Sequence, residues 1–295
     1  MVKTIIEGEV FIDALSDFGF KRIFTREHNK NVLIDLLNAM LKLKSPIVEI
    51  EIISNEQMGD LKKNRKSVFD IHCKDSDGNY FIIEVQKLKE EFFKDRSVYY
   101  STFPIRSQEK KGDWDFELKH IYTICLLDFC FDDSDPDQCI HEVKLLELTT
   151  KKVFYDRLTF YYAELPKFNK TEGQLITRED KWLYTLVNLK KLKEIPLSLS
   201  DDPIFKQFYM DAQKAHLTEL ELQAYYNGKK AEWDEYAVKQ TAIQEGLKAG
   251  QEKVIKQSTA FVKNLLLQTS HSIEEISNLV EVPISFVQKV KETLK

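Results

Sequence analysis

The amino-acid sequence predicts an α/β fold around one sheet, followed by a helical C-terminal region. Apolar side chains recur at helical spacing over residues 17–41, and short β-rich runs follow between residues 47 and 165. Beyond residue 171 the pattern becomes helical and increasingly polar. Helix, several strands, helix and strand in this order are typical of a mixed layer architecture.

Five segments are predicted as strands because they are rich in β-branched and aromatic residues and end at polar turns. They are residues 47–54, 68–74, 80–87, 121–131 and 158–165. Residues 90–106 are charged and aromatic, and are predicted as a helix between the third and fourth strands. We therefore divide the chain into a domain over residues 1–170, a helical extension over 171–268 and a helical pair over 269–295.

The C-terminal pair resembles a helix-turn-helix. Ser272 and Glu275 match a capping box, and Pro283 precedes a second helix. The usual turn glycine is absent, so two interpretations stay open: a DNA-reading unit, and a packing or dimerising hairpin. Self-association through the C-terminal helices is accordingly expected. Upstream, Asn227-Gly228 is the strongest turn signal in the extension.

Composition indicates an ordinary folded protein. Of 295 residues, 43% are hydrophobic and 31% charged, with a net charge of −5. The N-terminus carries acids where a signal peptide needs an apolar run, and no stretch approaches ~18 uncharged apolar residues, so a cytoplasmic location without membrane contact is expected. The cysteines form no CxxC pair and are expected to act as small hydrophobes: Cys73, Cys125, Cys130 and Cys139.

The most informative segment is residues 69–87, where two β-rich runs flank a polar turn. A two-residue Asp77-Gly78 loop would place Asp70 opposite Val85, whereas a three-residue loop over 76–78 would place it opposite Glu84. The side-chain pattern favours the second register, because the first would set Asp70 against the apolar face of the partner strand.

Two neighbouring carboxylates repel one another unless one takes up a proton or both bind a cation. Carboxylate oxygens suit Mg²⁺ or Mn²⁺, and such a metal can activate water and stabilise a phosphodiester under attack. Asp70 and Glu84 are therefore candidate metal ligands and catalytic residues. The alternative is a solvent-facing strand pair on which the two acids meet without a function.

Asp70, Glu84 and Gln86 across this hairpin resemble the PD-(D/E)xK signature, with Gln in the place of the lysine. That substitution is typical of the recombination-promoting nuclease family, also described as PD-(D/E)xK family transposases. Further motifs resemble the family in the same order along the chain: residues 16–21, 69–73 with 83–86, Arg96 with Tyr99 and Tyr100, 112–119 before the apolar run 121–127, and 164–168.

The resemblance implies a restriction-endonuclease-like αβββαβ core with a mixed sheet, which cuts DNA with Mg²⁺ or Mn²⁺. Asp70 and Glu84 would be the metal ligands. Gln86 would stand where a lysine usually orients the attacking water or stabilises the transition state. Lys87 cannot replace that lysine, because strand alternation points it to the opposite face.

Two residues of the first predicted helix are further candidates. Lys21 is a stand-in for the missing lysine. Asp17 either adds a third carboxylate or is a first-turn acid favoured by the helix dipole, with Ser16 as N-cap.

Basic residues near the hairpin also allow two interpretations. Arg96 either contacts phosphate or forms a surface salt bridge with Asp95 or Glu91, and the lysine-rich run 62–66 is either a DNA contact or a solvated loop. Three functions remain open for the chain: a nuclease of recombination or mobile elements, the same chemistry in phage defence or as a toxin, and a catalytically weak binding protein.

Overall fold

The structure is a computed structural model that describes residues 8–53, 69–109, 112 and 115–294. The lysine-rich run 62–66 and part of the 112–119 motif lie outside these residues. The chain forms two compact units, residues 1–230 and 231–295, which are treated separately below. The predicted boundaries at 170 and 268 stay predictions.

Six strands of the described residues form one mixed sheet in the order β1-β2-β3-β4-β6-β5. The central pairs β3–β4 and β4–β6 are parallel, and the other pairs are antiparallel. The strands are β1 (Ile50–Ile52), β2 (Ile71–Asp75), β3 (Tyr80–Gln86), β4 (Ile121–Leu127), β5 (Ile140–Leu146) and β6 (Val153–Glu164). The predicted mixed α/β class is confirmed.

Helices precede, interrupt and follow this sheet. They are α1 (Asp17–Phe24), α2 (Lys30–Met40), α3 (Phe93–Ser107), α4 (Arg178–Asn188), α5 (Pro203–Ala212), α6 (Glu219–Gln268), α7 (Ile273–Val280) and α8 (Ile284–Glu292). Helix α3 connects the parallel neighbours β3 and β4, as such a crossover requires. The αβββαβ order expected from the resemblance is therefore present.

The sequence pattern did not predict β5. This strand pairs with β6 at one edge of the sheet, and its side chains are half-buried or exposed, so it lacks the apolar run of a central strand. The same pairing extends β6 back to Val153, earlier than the predicted start at residue 158. The strand was missed because half-buried and exposed side chains give no apolar pattern to recognise, although its partner β6 follows it closely in sequence.

The centre of the sheet is covered on both faces. Phe81, Ile82 and Ile83 are successive residues of β3 and have 0% exposure, so neither face of this strand meets solvent there. Helix α3 contributes Phe93 to one face, where it packs in a cluster with Cys125 and Leu127 of β4. Burial on both sides fixes the strand's position and therefore the positions of the polar residues at its end.

Helix α1 is fixed by its N-terminal cap. The Ser16 hydroxyl accepts a hydrogen bond from Gly19 N at 3.1 Å and donates one to the Asp13 carbonyl at 2.6 Å. Gly19 lies so close to that carbonyl that an added Cβ would be 2.0 Å from the oxygen. Glycine at this position therefore allows α1 to approach the preceding loop.

The unit over residues 231–295 contains the end of α6 and the helices α7 and α8. Val262 of α6 packs with Ile276, Val287 and Val290 in one apolar cluster, so the facing sides of the terminal pair are buried within the unit. The capping box at Ser272 and Glu275 is confirmed. Glu281 takes the left-handed conformation, with φ 55°, in the turn where a glycine is usual.

The predicted turn at Asn227-Gly228 is wrong. Both residues lie inside α6, where the side chain of Gln223 donates a hydrogen bond to Asn227 Oδ1 at 2.9 Å, one helical turn away. Along the described parts of the chain, no helix combines the length and apolar character needed to cross a bilayer.

The packing of α1 leads to the first prediction. Gly19→Ala should destabilise the protein by about 2–3 kcal/mol, because the new methyl group must push α1 away from the Asp13 carbonyl. Urea denaturation would measure the loss. Gly228→Ala is the matched control: no atom lies within 4 Å of its added Cβ, and alanine should stabilise the helix by about 0.5–1 kcal/mol. Equal stability of the two variants would contradict this account of α1.

Candidate active site

The β2–β3 hairpin has the predicted register. His72 pairs with Ile82 and Cys73 with Phe81, and Asp75 N donates to Asn79 O at 3.0 Å to close a three-residue loop. Gly78 in that loop has φ 87°, the left-handed conformation that the loop requires. Continuing this ladder by one residue beyond Ile71 and Ile83 places Asp70 opposite Glu84.

The two acids meet where β2 begins and β3 ends. Asp70 Oδ2 accepts a hydrogen bond from Val85 N at 2.7 Å, which fixes its carboxylate against β3. Glu84 is 7% exposed, and its Oε1 is buried without a hydrogen-bond partner. A buried carboxylate oxygen without a partner is costly, and it is an available ligand atom.

Burial strongly perturbs the ionisation of both acids. Burial raises the pKa of Asp70 to about 6; the Val85 N–H and Lys21 oppose this shift, while Asp17 adds to it. Burial also raises the pKa of Glu84 well above its ordinary value, and the Asp70 charge raises it further, against the opposing charge of Arg96. Two such acids hold a proton or bind a cation more readily than they carry two negative charges.

Helix α1 brings Lys21 and Asp17 to the same place. Lys21 Nζ lies 2.5 Å from Asp17 Oδ1 and 3.7 Å from Asp70 Oδ1. Asp17 is in the first turn behind the Ser16 cap, and its side chain is 73% exposed. The helix-dipole interpretation of Asp17 therefore has a structural basis, and its catalytic role stays a proposal.

Gln86 is held by a network that the sequence did not predict. Its Oε1 accepts from Arg96 Nη2, and its Nε2 donates to Leu88 O at 2.9 Å and to Glu90 Oε1 at 3.1 Å. Arg96 Nη1 donates to Glu90 Oε2 at 2.7 Å. Glu90 is thus the salt-bridge partner of Arg96, in place of the Asp95 or Glu91 predicted from proximity in sequence.

Lys87 points away from the acids, as strand alternation predicts. Its Nζ lies 2.7 Å from Asp13 Oδ2, and Lys229 Nζ lies 2.8 Å from the same oxygen. Burial alone would raise the pKa of Asp13, but the two ammonium groups hold it well below its ordinary value. Sequence analysis missed Asp13, since no local motif marks a contact with a residue 216 positions away.

Aromatic residues line the hairpin beside the acids. Phe69 packs edge-on against Tyr100 of α3 with ring centroids 5.2 Å apart, while Tyr99 is 56% exposed, so only one of the two tyrosines packs inward. His72 stacks on Tyr80, and burial lowers its pKa to about 4. Its ring contacts Phe69 and Tyr80, and both of its ring nitrogens are buried without a hydrogen-bond partner among the described residues.

The donor set fits a hard divalent cation. The two carboxylates offer oxygen ligands, Glu84 Oε1 has no competing partner, and Mg²⁺ commonly uses one or two carboxylates while keeping water elsewhere. Among the residues that the structure describes, no group of three or more His, Cys, Asp or Glu side chains is arranged to hold a metal. Asp70 and Glu84 are therefore the two acids that this arrangement offers to a cation.

A family model described as "PD-(D/E)XK nuclease family transposase" matches residues 14–242. This range includes α1, the hairpin, α3 and the whole sheet. No curated protein and no solved structure is similar enough to be named as a relative.

The raised pKa of Asp70 predicts how stability depends on pH. A carboxyl group with a raised folded-state pKa contributes stability below its unfolded pKa and loses it as pH rises through about 6. In EDTA, Asp70→Asn should therefore be more stable than the wild type at pH 7.5, by on the order of 3 kcal/mol, and similar to it at pH 4.

Guanidinium denaturation at the two pH values measures this difference. Asp13→Asn is the control with the opposite sign, because the pKa of Asp13 is lowered and its charge is stabilising at pH 7.5. An Asp70→Asn variant that is less stable than the wild type at pH 7.5 would show that the carboxylate is satisfied without a cation.

Proposed function

Because the chain belongs to the PD-(D/E)XK nuclease family of transposases, we propose that it is a divalent-metal-dependent endodeoxyribonuclease. One observation carries the proposal: Asp70 and Glu84 meet across the hairpin as a buried acid pair with an unpartnered oxygen. Hydrolysis of a phosphodiester joins the oxygen of water to phosphorus and breaks one P–O ester bond. The leaving oxygen takes up a proton.

Asp70 and Glu84 are the proposed holders of Mg²⁺ or Mn²⁺. When bound, such an ion supplies Lewis acidity and lowers the pKa of water. The chain's own contribution is to fix the ligand oxygens: the Val85 N–H holds Asp70, and the buried strand β3 holds Glu84. Lys21 is placed to balance the charge of Asp70 from α1.

The family description supports a role in recombination or mobile elements. The same site serves equally for phage defence or growth inhibition, since both need phosphodiester cleavage. A cytoplasmic location remains the expectation from the sequence. Self-association through the C-terminal helices remains a proposal; the apolar sides of α7 and α8 that face α6 are already buried, so exposed Leu279 and Ile284 are the candidates for contact with a second copy.

Plasmid nicking tests the proposed activity. The wild type should relax supercoiled DNA with Mg²⁺ or Mn²⁺ and fail in EDTA, whereas Asp70→Ala and Glu84→Ala should lose at least about 10³-fold in rate, because each removes a metal ligand. Asp77→Ala is a matched control, since this exposed acid lies at the other end of the same hairpin.

Three outcomes decide between the functions. Nicking by the wild type and Asp77→Ala alone supports the nuclease. Unchanged nicking by both ligand variants would remove the acid pair from the reaction. DNA binding without nicking in either metal would instead support the catalytically weak binding protein.

Lys21 and Asp17 are predicted to have smaller effects than the acid pair. Lys21→Met removes the charge 3.7 Å from Asp70 and should slow nicking by about 10-fold. Asp17→Asn releases Lys21 toward Asp70. It should change the nicking rate less than about 3-fold, because an exposed ion pair contributes little free energy. An Asp17→Asn loss as large as that of Asp70→Ala would make Asp17 a third essential carboxylate.

A further inference from the structure

The acid pair lacks a positive charge on its own strand. Residue 86 follows Glu84 on the same face of β3, and there the chain has a neutral glutamine. Lys87, the next residue, is bound to Asp13 on the opposite face, and Lys21 lies closer to Asp17 than to Asp70. A site that takes an anionic phosphodiester beside two carboxylates needs a cationic group that is held in place.

The amide of Gln86 is fully used within the protein. Its oxygen accepts from Arg96, and its two N–H groups are matched by two acceptors, Leu88 O and Glu90 Oε1. Rotating the amide would place N–H against the guanidinium and oxygen against both acceptors, so this orientation is the one that satisfies the network. No N–H of Gln86 is then left to orient water.

Arg96 is held as firmly as Gln86. Its guanidinium bridges Gln86 and Glu90, and it lies over the Phe93 ring with its Cζ 4.9 Å from the centroid. Arg96 Nε is buried without a hydrogen-bond partner. Such a group combines a fixed position with an unused donor, although two of its other donors are engaged.

We propose that Arg96 supplies the fixed positive charge of the acid-pair site, and that Gln86 is the positioning residue that holds Arg96 there. This inference rests on the proposed function, because the charge is useful where a phosphodiester meets the two acids. Arg96 comes from α3 and Gln86 from β3, so the charge is supplied across the strand–helix contact. Gln86 serves as a hydrogen-bond acceptor in this arrangement.

The experiment compares single variants with a charge-transfer pair. Arg96→Gln should slow Mn²⁺-dependent nicking by about 10²-fold or more. Gln86→Lys alone should also slow it, by about 10-fold, because an ammonium group cannot accept from Arg96 and repels it. Arg96→Ala combined with Gln86→Lys should recover a nicking rate within about 10-fold of the wild type. In this double variant the lysine restores a positive charge on β3, and no arginine is present to repel it. Arg106→Gln is the control: it is exposed in the last turn of the same helix.

Binding of Mn²⁺, measured by calorimetry, gives a readout that a structural role would not reproduce. Removing a nearby positive charge should tighten Mn²⁺ binding in Arg96→Gln by about 3- to 10-fold while nicking falls. If Arg96 had only a structural role, the substitution would lower the Mn²⁺ affinity, the nicking rate and the midpoint of thermal unfolding at the same time. Three results would each overturn the inference. They are a joint loss of Mn²⁺ binding, nicking and thermal stability in Arg96→Gln, nicking by Arg96→Gln at the wild-type rate, and a double variant that nicks DNA no faster than Arg96→Ala alone.

The same measurements separate this inference from the proposed function. If the wild type binds Mn²⁺ but does not nick DNA, the proposed nuclease fails, and tighter Mn²⁺ binding by Arg96→Gln still supports the charge assignment. Unchanged Mn²⁺ affinity in that case overturns it. If the wild type binds no Mn²⁺, both proposals are overturned.

Discussion

The register of the β2–β3 hairpin is the constraint on which the acid pair depends. A strand has a side-chain period of two, so a slip of one residue would move Asp70 to the other face, away from Glu84. Such a slip would also set the Asp70 carboxylate against the apolar side chains of β3, at a cost in free energy. The left-handed Gly78 closes the loop at the length that prevents it. The apolar residues of β3 therefore hold the acids in place, although they take no part in the chemistry.

A second constraint operates on the opposite face of the same strand. Asp13 is a buried carboxylate shared by Lys87 and Lys229, an arrangement that joins the end of β3 to the beginning of α6. Each charge in it compensates for another's loss of hydration, and removing Asp13 would take away the carboxylate that the two ammonium groups share. The Asp13 carbonyl also lies in close contact with Gly19 of α1. The segment that keeps Lys87 away from the acids is thus the segment that brings α1 to them.

Features that leave a recognisable local pattern could be predicted from the sequence, and features that leave none could not. The hairpin register, the Ser16 cap and the Ser272–Glu275 box follow from patterns within about fifteen residues. The edge strand β5 was missed because its half-buried and exposed side chains leave no apolar strand pattern in the sequence. The turn predicted at Asn227-Gly228 is overridden by the continuing helix. Glu90 was missed as the partner of Arg96 because it precedes the start of α3, where helical spacing does not indicate which side chains meet.

Charge cancellation around the acid pair explains how an acidic chain can belong to a nuclease family. The net charge is −5, and among the residues that the structure describes Lys21 pairs with Asp17, Lys87 with Asp13 and Arg96 with Glu90, so the positive charge that we assign to Arg96 acts from within a bridged network. If the chain is the nuclease that we propose, the charges of Asp70 and Glu84 would attract a divalent cation to this site. A bound cation would offset the charge of the two acids, so that an anionic phosphodiester could approach them. Under the proposed function, the overall isoelectric point is a poor guide to DNA binding, because the decisive charges lie within one hydrogen-bonded site and screening limits the reach of the rest.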